Sequence, residues 1–489
     1  MTLMEILDGL AAHLDSSTDI PLTSVAIDSR RVAPGTLFVA IRGEHVDGSD
    51  FVLAAQAAGA AAIVSERPRP DGVRIPWAIV PDARRAAAIL SARVHGDPSA
   101  RLTLAGITGT NGKTTVATLL EGVFSRALGS CGFLGTTQYR WGAIRRPAAR
   151  TTPEAPELTE MLADMVDGGT AACAMEVSSH ALALERVAGL RFDVTVFTNL
   201  TQDHFDFHRD FEGYFSAKRR LFDLRKPGAP GVVNADDPYG RRLLAQAASP
   251  VMSFSLSGAE ADYRAVATAF DLAGTRLTVE ESSGSHDISS PLVGRFNGEN
   301  LLAAWAAARA LAIPAETVAA ALAATAGPPG RLEPVDAGQP FPIFVDYAHT
   351  EDALRRLLAA VRELTDRRIV LVFGCGGDRD PGKRVPMGSV ASELADLAIA
   401  TSDNPRGEDP AEIVKEVEKG LEAGGKDNYR VIVDRREAIG AAVAAADERS
   451  VLLIAGKGHE TTQIIGRETT PFDDRVVAAE FARARRNAR

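Results

Sequence analysis

The sequence predicts an α/β protein of three domains: a small N-terminal α/β domain over residues 1–100, a central phosphate-loop domain with a mostly parallel sheet over 101–330, and a C-terminal Rossmann-like α/β domain over 331–489. Three observations predict it. At 489 residues the chain exceeds what one hydrophobic core ordinarily serves. Short apolar runs alternate with helical patterns along it, as in parallel strands joined by crossover helices. Two turn-rich segments, Val94–Ala100 and Gly327–Gly330, interrupt that alternation.

In order, Met1–Leu14 reads as a short amphipathic helix, without the basic and apolar regions of a secretion signal. Strands at Leu37–Ile41 and Ala61–Ser65 flank a helix at Val52–Ala58. Leu102–Ile107 is an apolar strand that runs into a glycine-rich turn and a helix over Thr114–Ala127. Further strands follow at Ala171–Val177, Val194–Thr198 and Gly231–Asn234, and the alanine-dense run Leu301–Ala326 forms one or two helices. Gly327-Pro328-Pro329-Gly330 ends them, because proline lacks the N–H and fixes φ. The last domain carries strands at Ile343–Val345, Ile369–Phe373, Leu397–Ala400, Arg430–Val433 and Val451–Ile454.

Composition is that of an ordinary soluble globular protein, 45% hydrophobic and 24% charged. A net charge of −10 speaks against a nucleic-acid partner, which wants a basic face. No stretch reaches the roughly 18 apolar residues of a membrane span. The three cysteines, Cys131, Cys173 and Cys375, have no metal or disulfide spacing, which points to the reducing cytoplasm.

Between strand and helix lies Gly106-Ile107-Thr108-Gly109-Thr110-Asn111-Gly112-Lys113-Thr114-Thr115. Glycines let backbone N–H groups face phosphate oxygens, and the helix N-terminus adds a positive dipole. Lys113 is placed to hold the outer phosphates and the Thr114 hydroxyl to ligate magnesium. Five residues separate Gly106 from Gly112 instead of the usual four, so Gly109 takes the turn role. Glu176 ends one apolar strand and the segment Asn199–His204 follows another, where open parallel sheets bind their ligands. Alone, each reads as a helix cap or turn. Together at strand ends beside a phosphate loop they point to metal chemistry.

At these residues the chain resembles the Mur ligase family. The matching motifs are TGTNGKTT at the loop, EVSSHAL from Glu176, the Asp203-His204 pair, AKRRLF around Lys218, GRFNGENLLAA from Gly294, PGRLE from Pro329 and DYAHT from Asp346. The resemblance implies a monomeric ATP-dependent ligase that activates a carboxylate as an acyl phosphate for attack by an amine. It implies magnesium held by Thr114, Glu176 and His204, with Lys218 carried as a carbamate. It assigns Asn297 and Asn300 to the nucleotide base, and Arg331 and Asp346 to the phosphates.

In the last domain, Arg379, the run Asp403-Asn404-Pro405-Arg406 and the run Gly456–Glu460 each follow a predicted strand and so share one sheet edge. Arg379 and Arg406 suit a carboxylate, while Asp403 and Glu460 suit an ammonium. Within the family, an arginine closing the DNPR motif implies meso-diaminopimelate as the amine. Ser29, Arg30, Glu44, His45 and Val46 resemble uridine-binding loops, and Thr151, Thr152, Ser178 and Arg186 a muramoyl-peptide-binding stretch. The acceptor so implied is UDP-N-acetylmuramoyl-L-alanyl-D-glutamate, activated at the glutamate γ-carboxylate. The chain departs from the family at Glu351-Asp352, where proline then aspartate is common, and at Leu184, where some members have glutamine. Four other readings stay open: an L-lysine-adding homologue, a paralogous amide ligase of specialised metabolism, a folylpolyglutamate-type ligase, and a nucleotide-dependent binding protein without catalysis.

Overall fold

The computed structural model describes residues 1–10, 12–15, 19–43, 46–246 and 250–487. They form two compact units: one of residues 1–267, 277–288 and 299–325, the other of 268–276, 289–298 and 326–489.

The first unit opens with a five-stranded sheet in the order His13–Leu14, Trp77–Ile79, Ala62–Ser65, Thr36–Ala40, Ser24–Ala26. All its pairs are parallel except that of the His13–Leu14 edge. Both faces are covered, so the strand Thr36–Ala40 is buried throughout and reads as a nearly continuous apolar run. Leu37 and Val39 pack on one side with Leu90 of the helix Ala83–Val94. Phe38 and Ala40 pack on the other with Trp77. The predicted helix over Met1–Leu14 is corrected here. Only Leu3–Leu7 is helical, started by a Thr2/Glu5 capping box. The chain then turns at Gly9, whose φ of 67° favours glycine, and His13–Leu14 pairs as an edge strand.

A second sheet holds the phosphate loop. Its strand Thr103–Thr108 lies between Ala172–Glu176 and Val194–Phe197, parallel to both. The register sets Glu176 opposite Ile107 and Phe197 opposite Thr108. Three strands therefore deliver their carboxyl ends at one level, and the loop, Glu176 and the 198–204 segment emerge together. The sheet extends through Gly231–Asn234 and Val251–Ser255 on one side, and through Cys131–Leu134, Gln138–Trp141 and Ile144–Pro147 on the other. Beyond Val251–Ser255 come strands Tyr263–Asp271, Gly274–Glu281 and Gly284–Ser290, whose residues are divided between the two units. The alanine-dense run is two helices, Arg295–Ala310 and Ala315–Ala324, separated by Ala312 at φ 59° and by Pro314.

The second unit is a six-stranded sheet in the order Glu333–Pro334, Ile343–Asp346, Ser450–Ala455, Arg368–Cys375, Leu397–Ser402, Tyr429–Val431. All but the first pair are parallel. Ile369, Leu371 and Phe373 face Leu354, Leu358, Val390 and Val417. Val370 and Val372 face Ile439, Val443 and Ala478 on the opposite side. This alternation is the period of two that buries a strand on both faces. Arg435 and Asp474 form a fully buried pair, Nε to Oδ1 at 2.8 Å and Nη2 to Oδ2 at 2.6 Å. Burial pushes the thiols of Cys173 and Cys375 up, the latter to about 12. Among the described residues, no helix is long and apolar enough to cross a membrane.

Candidate active site

The phosphate loop is laced to the segment after Val194–Phe197. Thr110 N donates to Asn199 O at 2.9 Å, Asn111 N to Asn199 Oδ1 at 2.9 Å, and Thr198 Oγ1 to Asn111 O at 2.6 Å. Two glycines are required by close approach. A Cβ on Gly109 would run into Thr198 Oγ1, and one on Gly112, at φ 86°, would run into Asn300 Oδ1. Asn300 therefore packs on the residue that caps the helix Lys113–Leu128. Thr115 is buried in that helix and Thr114 is half-buried at its first turn.

Lys113 Nζ donates to the carbonyls of Gly109 and Thr110, both at 2.9 Å. Lys218 Nζ donates to the same Gly109 carbonyl at 2.6 Å. Lys218 is only 1% exposed and, among the described residues, has no ion pair to a carboxylate. Burial, aided by the charge of Lys113, holds its pKa well below the ordinary lysine value. Both effects penalise the ammonium. Its Nζ also lies 4.4 Å from the centre of the Tyr214 ring.

Glu176 is buried at the end of its strand, and its oxygens accept from Thr136 N at 2.8 Å and Thr136 Oγ1 at 3.1 Å. Thr136 is a site neighbour that sequence reasoning missed. Thr151 Oγ1 lies 3.0 Å from Thr136 Oγ1, and Thr152 Oγ1 donates to the Glu176 carbonyl at 2.9 Å. Ser178 N donates to Thr152 Oγ1 at 3.0 Å, and Arg186 Nη1 to Thr152 O at 3.2 Å. The predicted muramoyl-peptide residues thus form one network around Glu176. His204 stands at φ 54° ahead of the short helix Phe205–His208. Its Nε2 is 3.3 Å from Asp203 Oδ2, and its ring centre is 4.8 Å from that of His180.

Among the described residues, no group of three or more His, Cys, Asp or Glu side chains is disposed to hold a metal. The fit of magnesium therefore depends on Lys218. As an ammonium it would repel the ion. As a buried amine held toward neutrality, at the Gly109 carbonyl of the phosphate loop, it could take up carbon dioxide, release a proton and become an anionic oxygen donor. With that change Thr114, Glu176 and Lys218 would offer the hard oxygen donors magnesium prefers, and the His204 nitrogen would be the exception.

A cavity of about 880 Å³ opens in the same unit, lined by Ser29, Arg30, Val46, Phe51, Arg150 and Glu154 among others. Glu154 also pairs with Arg186 at 2.8 Å, so the cavity adjoins the Glu176 network. Arg30 is highly exposed and held at 2.6 Å by Asp28. The predicted Glu44 and His45 lie outside the described residues.

In the second unit, Asp346 accepts from Leu332 N at 2.7 Å and Ala348 N at 2.8 Å. Burial raises its carboxyl while the nearby Arg331 opposes the rise. The Arg331 guanidinium sits 5.4 Å over the Tyr347 ring, and Asn297 is buried with Nδ2 on Val293 O at 2.8 Å. The register Cys375 to Ser402 and Asp346 to Ala455 brings the three predicted loops to one sheet edge. There Asn404 Nδ2 donates to Glu460 Oε2 at 2.8 Å. A Cβ on Gly456, at φ 118°, would come within 2.7 Å of Asp403 Oδ2. Asp403 and Glu460 were expected to receive an ammonium, and the structure shows one that sequence reasoning missed. The fully buried Lys457 lies 3.9 Å from Asp403, 3.3 Å from Glu460 and 3.1 Å from Asn404 Oδ1. Arg406 is half-buried and donates through Nη1 to Gly377 O at 2.7 Å, while Arg379 is exposed.

Residues 21–95 match the description "Mur ligase family, catalytic domain", 107–308 "Mur ligase middle domain" and 330–458 "Mur ligase, glutamate ligase domain". A UDP-N-acetylmuramoyl-L-alanyl-D-glutamate--2,6-diaminopimelate ligase from Geobacillus kaustophilus is 46% identical over 99% of each chain. The chain belongs to the Mur ligase family. This Mur ligase is also 44% identical to the Streptomyces coelicolor protein of the same name, over 98% of this chain and 96% of that one. A solved structure of a ligase of that name superposes with a TM-score of 0.75 at 33% identity, covering 96% of each chain. A Mur ligase fold extends to a MurF ligase from Thermotoga maritima in complex with ADP, at 18% identity and a TM-score of 0.58.

Proposed function

We propose that this Mur ligase uses ATP to join meso-2,6-diaminopimelate to the D-glutamate γ-carboxylate of UDP-N-acetylmuramoyl-L-alanyl-D-glutamate in peptidoglycan precursor synthesis. The observation that carries the reading is full-length likeness, at 46% identity, to a ligase named for that acceptor and amine. The site supports it: a phosphate loop for ATP, a network around Glu176 for the acceptor, and Arg406 with the buried Asp403 for a zwitterionic amine.

Lys113 leaves its two loop carbonyls to hold the outer phosphates, and the N-terminus of Lys113–Leu128 presents N–H groups to them. Thr152, Ser178 and Arg186 orient the acceptor carboxylate beside Glu176. Thr114, Glu176, His204 and a carbamylated Lys218 would hold magnesium, which when bound would supply charge neutralisation at the phosphoryl group. Asn297 and Asn300 are assigned to the nucleotide base, and Arg331 and Asp346 to the phosphates, by their match to the family motifs. Arg379 and Arg406 hold the distal carboxylate of the amine, while Asp403 and Glu460, which also meet the buried Lys457, hold its ammonium. We keep the three domains 1–100, 101–330 and 331–489 as the functional division, and a cytoplasmic monomer without nucleic-acid partners as the working state. Light scattering should give a particle of 51.7 kDa, and a dimer mass would remove the monomer.

The test of the function is phosphate release from ATP with magnesium and the UDP-dipeptide, comparing meso-diaminopimelate with L-lysine and weighing the product. Turnover with diaminopimelate is expected. Turnover with lysine alone would transfer the reading to the lysine-adding homologue. For the carbamate, protein in ¹³C-bicarbonate should show a lysine carbamate resonance that Lys218→Ala lacks. A wild-type spectrum identical to that of the variant would remove Lys218 from the metal set.

A further inference from the structure

Arg406 cannot aim itself. Its backbone is pinned at φ 51° by bonds from its N to Ile464 O and from Gly466 N to its carbonyl. Its side chain is steered by the Gly377 carbonyl, which accepts from Nη1 at 2.7 Å. That carbonyl and the N–H of Asp378 belong to one peptide plane. The N–H edge of the plane donates to Glu408 Oε1 at 2.6 Å. Thus Glu408 holds one edge of the peptide and Arg406 uses the other. A rotation of the plane would take the carbonyl away from Arg406. Gly377 leaves little slack, since a Cβ there would run into Pro405 O.

Glu408 is itself gripped. Arg384, with its side chain 4% exposed, donates from Nη2 to both Glu408 oxygens, at 2.8 and 2.7 Å. One charged nitrogen shared between both oxygens is a charge-assisted contact that holds the carboxylate close to the buried guanidinium. The bonds to Arg384 hold the Glu408 carboxyl below its ordinary range. Nη1 of the same guanidinium reaches Glu416 at 2.9 Å, on the helix Pro410–Ala423. Two further bonds close the loops on each other: Gly377 N to Asn404 O at 2.9 Å, and Gly407 N to Asp378 Oδ2 at 2.9 Å.

We infer that Glu408, clamped by Arg384, is a positioning residue that sets the aim of Arg406 through the 377–378 peptide and so governs recognition of the amine's distal carboxylate. This rests on the proposed function, in which Arg406 meets that carboxylate. Arg384 also staples two helices through Glu416, and the two carboxylates separate that structural task from the positioning one.

The test measures KM and kcat for the amine in Glu408→Ala and Glu416→Ala. Glu408→Ala should raise the KM for meso-diaminopimelate about tenfold, with the KM for ATP and kcat at saturating amine within about twofold of wild type. Glu416→Ala should leave the amine KM within about twofold. Arg384→Met should reproduce the Glu408→Ala shift, and the double variant should add nothing to it, because both act through one link. Equal amine KM values in the two glutamate variants, or a fall in kcat alone, would overturn the inference. Wild-type protein inactive with diaminopimelate defeats the underlying function, whereas an active wild type with an unshifted Glu408→Ala defeats only the positioning role.

Discussion

Lys113→Ala is expected to lower ligation by about a hundredfold to a thousandfold, the loss typical of removing one preorganised donor from a reacting centre. The structure explains why no neighbour replaces it. Lys218 shares the Gly109 carbonyl with Lys113, but burial depresses its ammonium form. If it becomes a carbamate its charge is of the wrong sign. Of the two carbonyls that lose Lys113, that of the buried Gly109 still accepts from Lys218 and that of Thr110 belongs to a half-buried residue, so the fold should persist. Single-turnover phosphate release separates a lost chemical step from lost binding, and near-normal turnover in Lys113→Ala would remove this lysine from phosphoryl transfer.

Asp474→Ala is expected to destabilise the second unit by about 3–5 kcal/mol, because it leaves a buried guanidinium without its partner. Against a total stability on the order of 5–15 kcal/mol, that is a large share. Arg435 also donates to Ser402 O at 3.3 Å and Ala455 O at 3.0 Å, the residues just before Asp403 and Gly456. Its loss would therefore loosen two strand ends that carry the amine loops. Arg435→Met combined with Asp474→Leu should recover most of the stability, since a buried ion pair often breaks even against apolar replacements. Urea unfolding followed with all three variants measures this. A cost below about 1 kcal/mol for Asp474→Ala would mean that water reaches the pair.

The phosphate loop was legible in the sequence because strand, loop and helix are contiguous and each glycine answers a local demand. The three loops of the second unit were legible for a similar reason: each follows an apolar strand, and parallel strands end at one edge. Thr136 was not legible, because its value lies in meeting Glu176, 40 residues away along the chain. Nor was Lys457, a lysine between two glycines, whose burial among Asp403, Asn404 and Glu460 is a tertiary fact. The strands Tyr263–Asp271, Gly274–Glu281 and Gly284–Ser290 escaped notice because one-sided exposure mixes polar with apolar residues. Met1–Leu14 misled because its apolar residues suit a helix until Gly9 turns the chain.

The three thiols have a practical bearing on how this protein can be observed. Cys173 and Cys375 are buried and held protonated, and the half-buried Cys131 is raised well above the ordinary thiol value by burial. Alkylating dyes react with thiolates, so the native chain offers them a dark background. A single cysteine placed on an exposed surface position should take a fluorophore cleanly, without first stripping out the three natural ones.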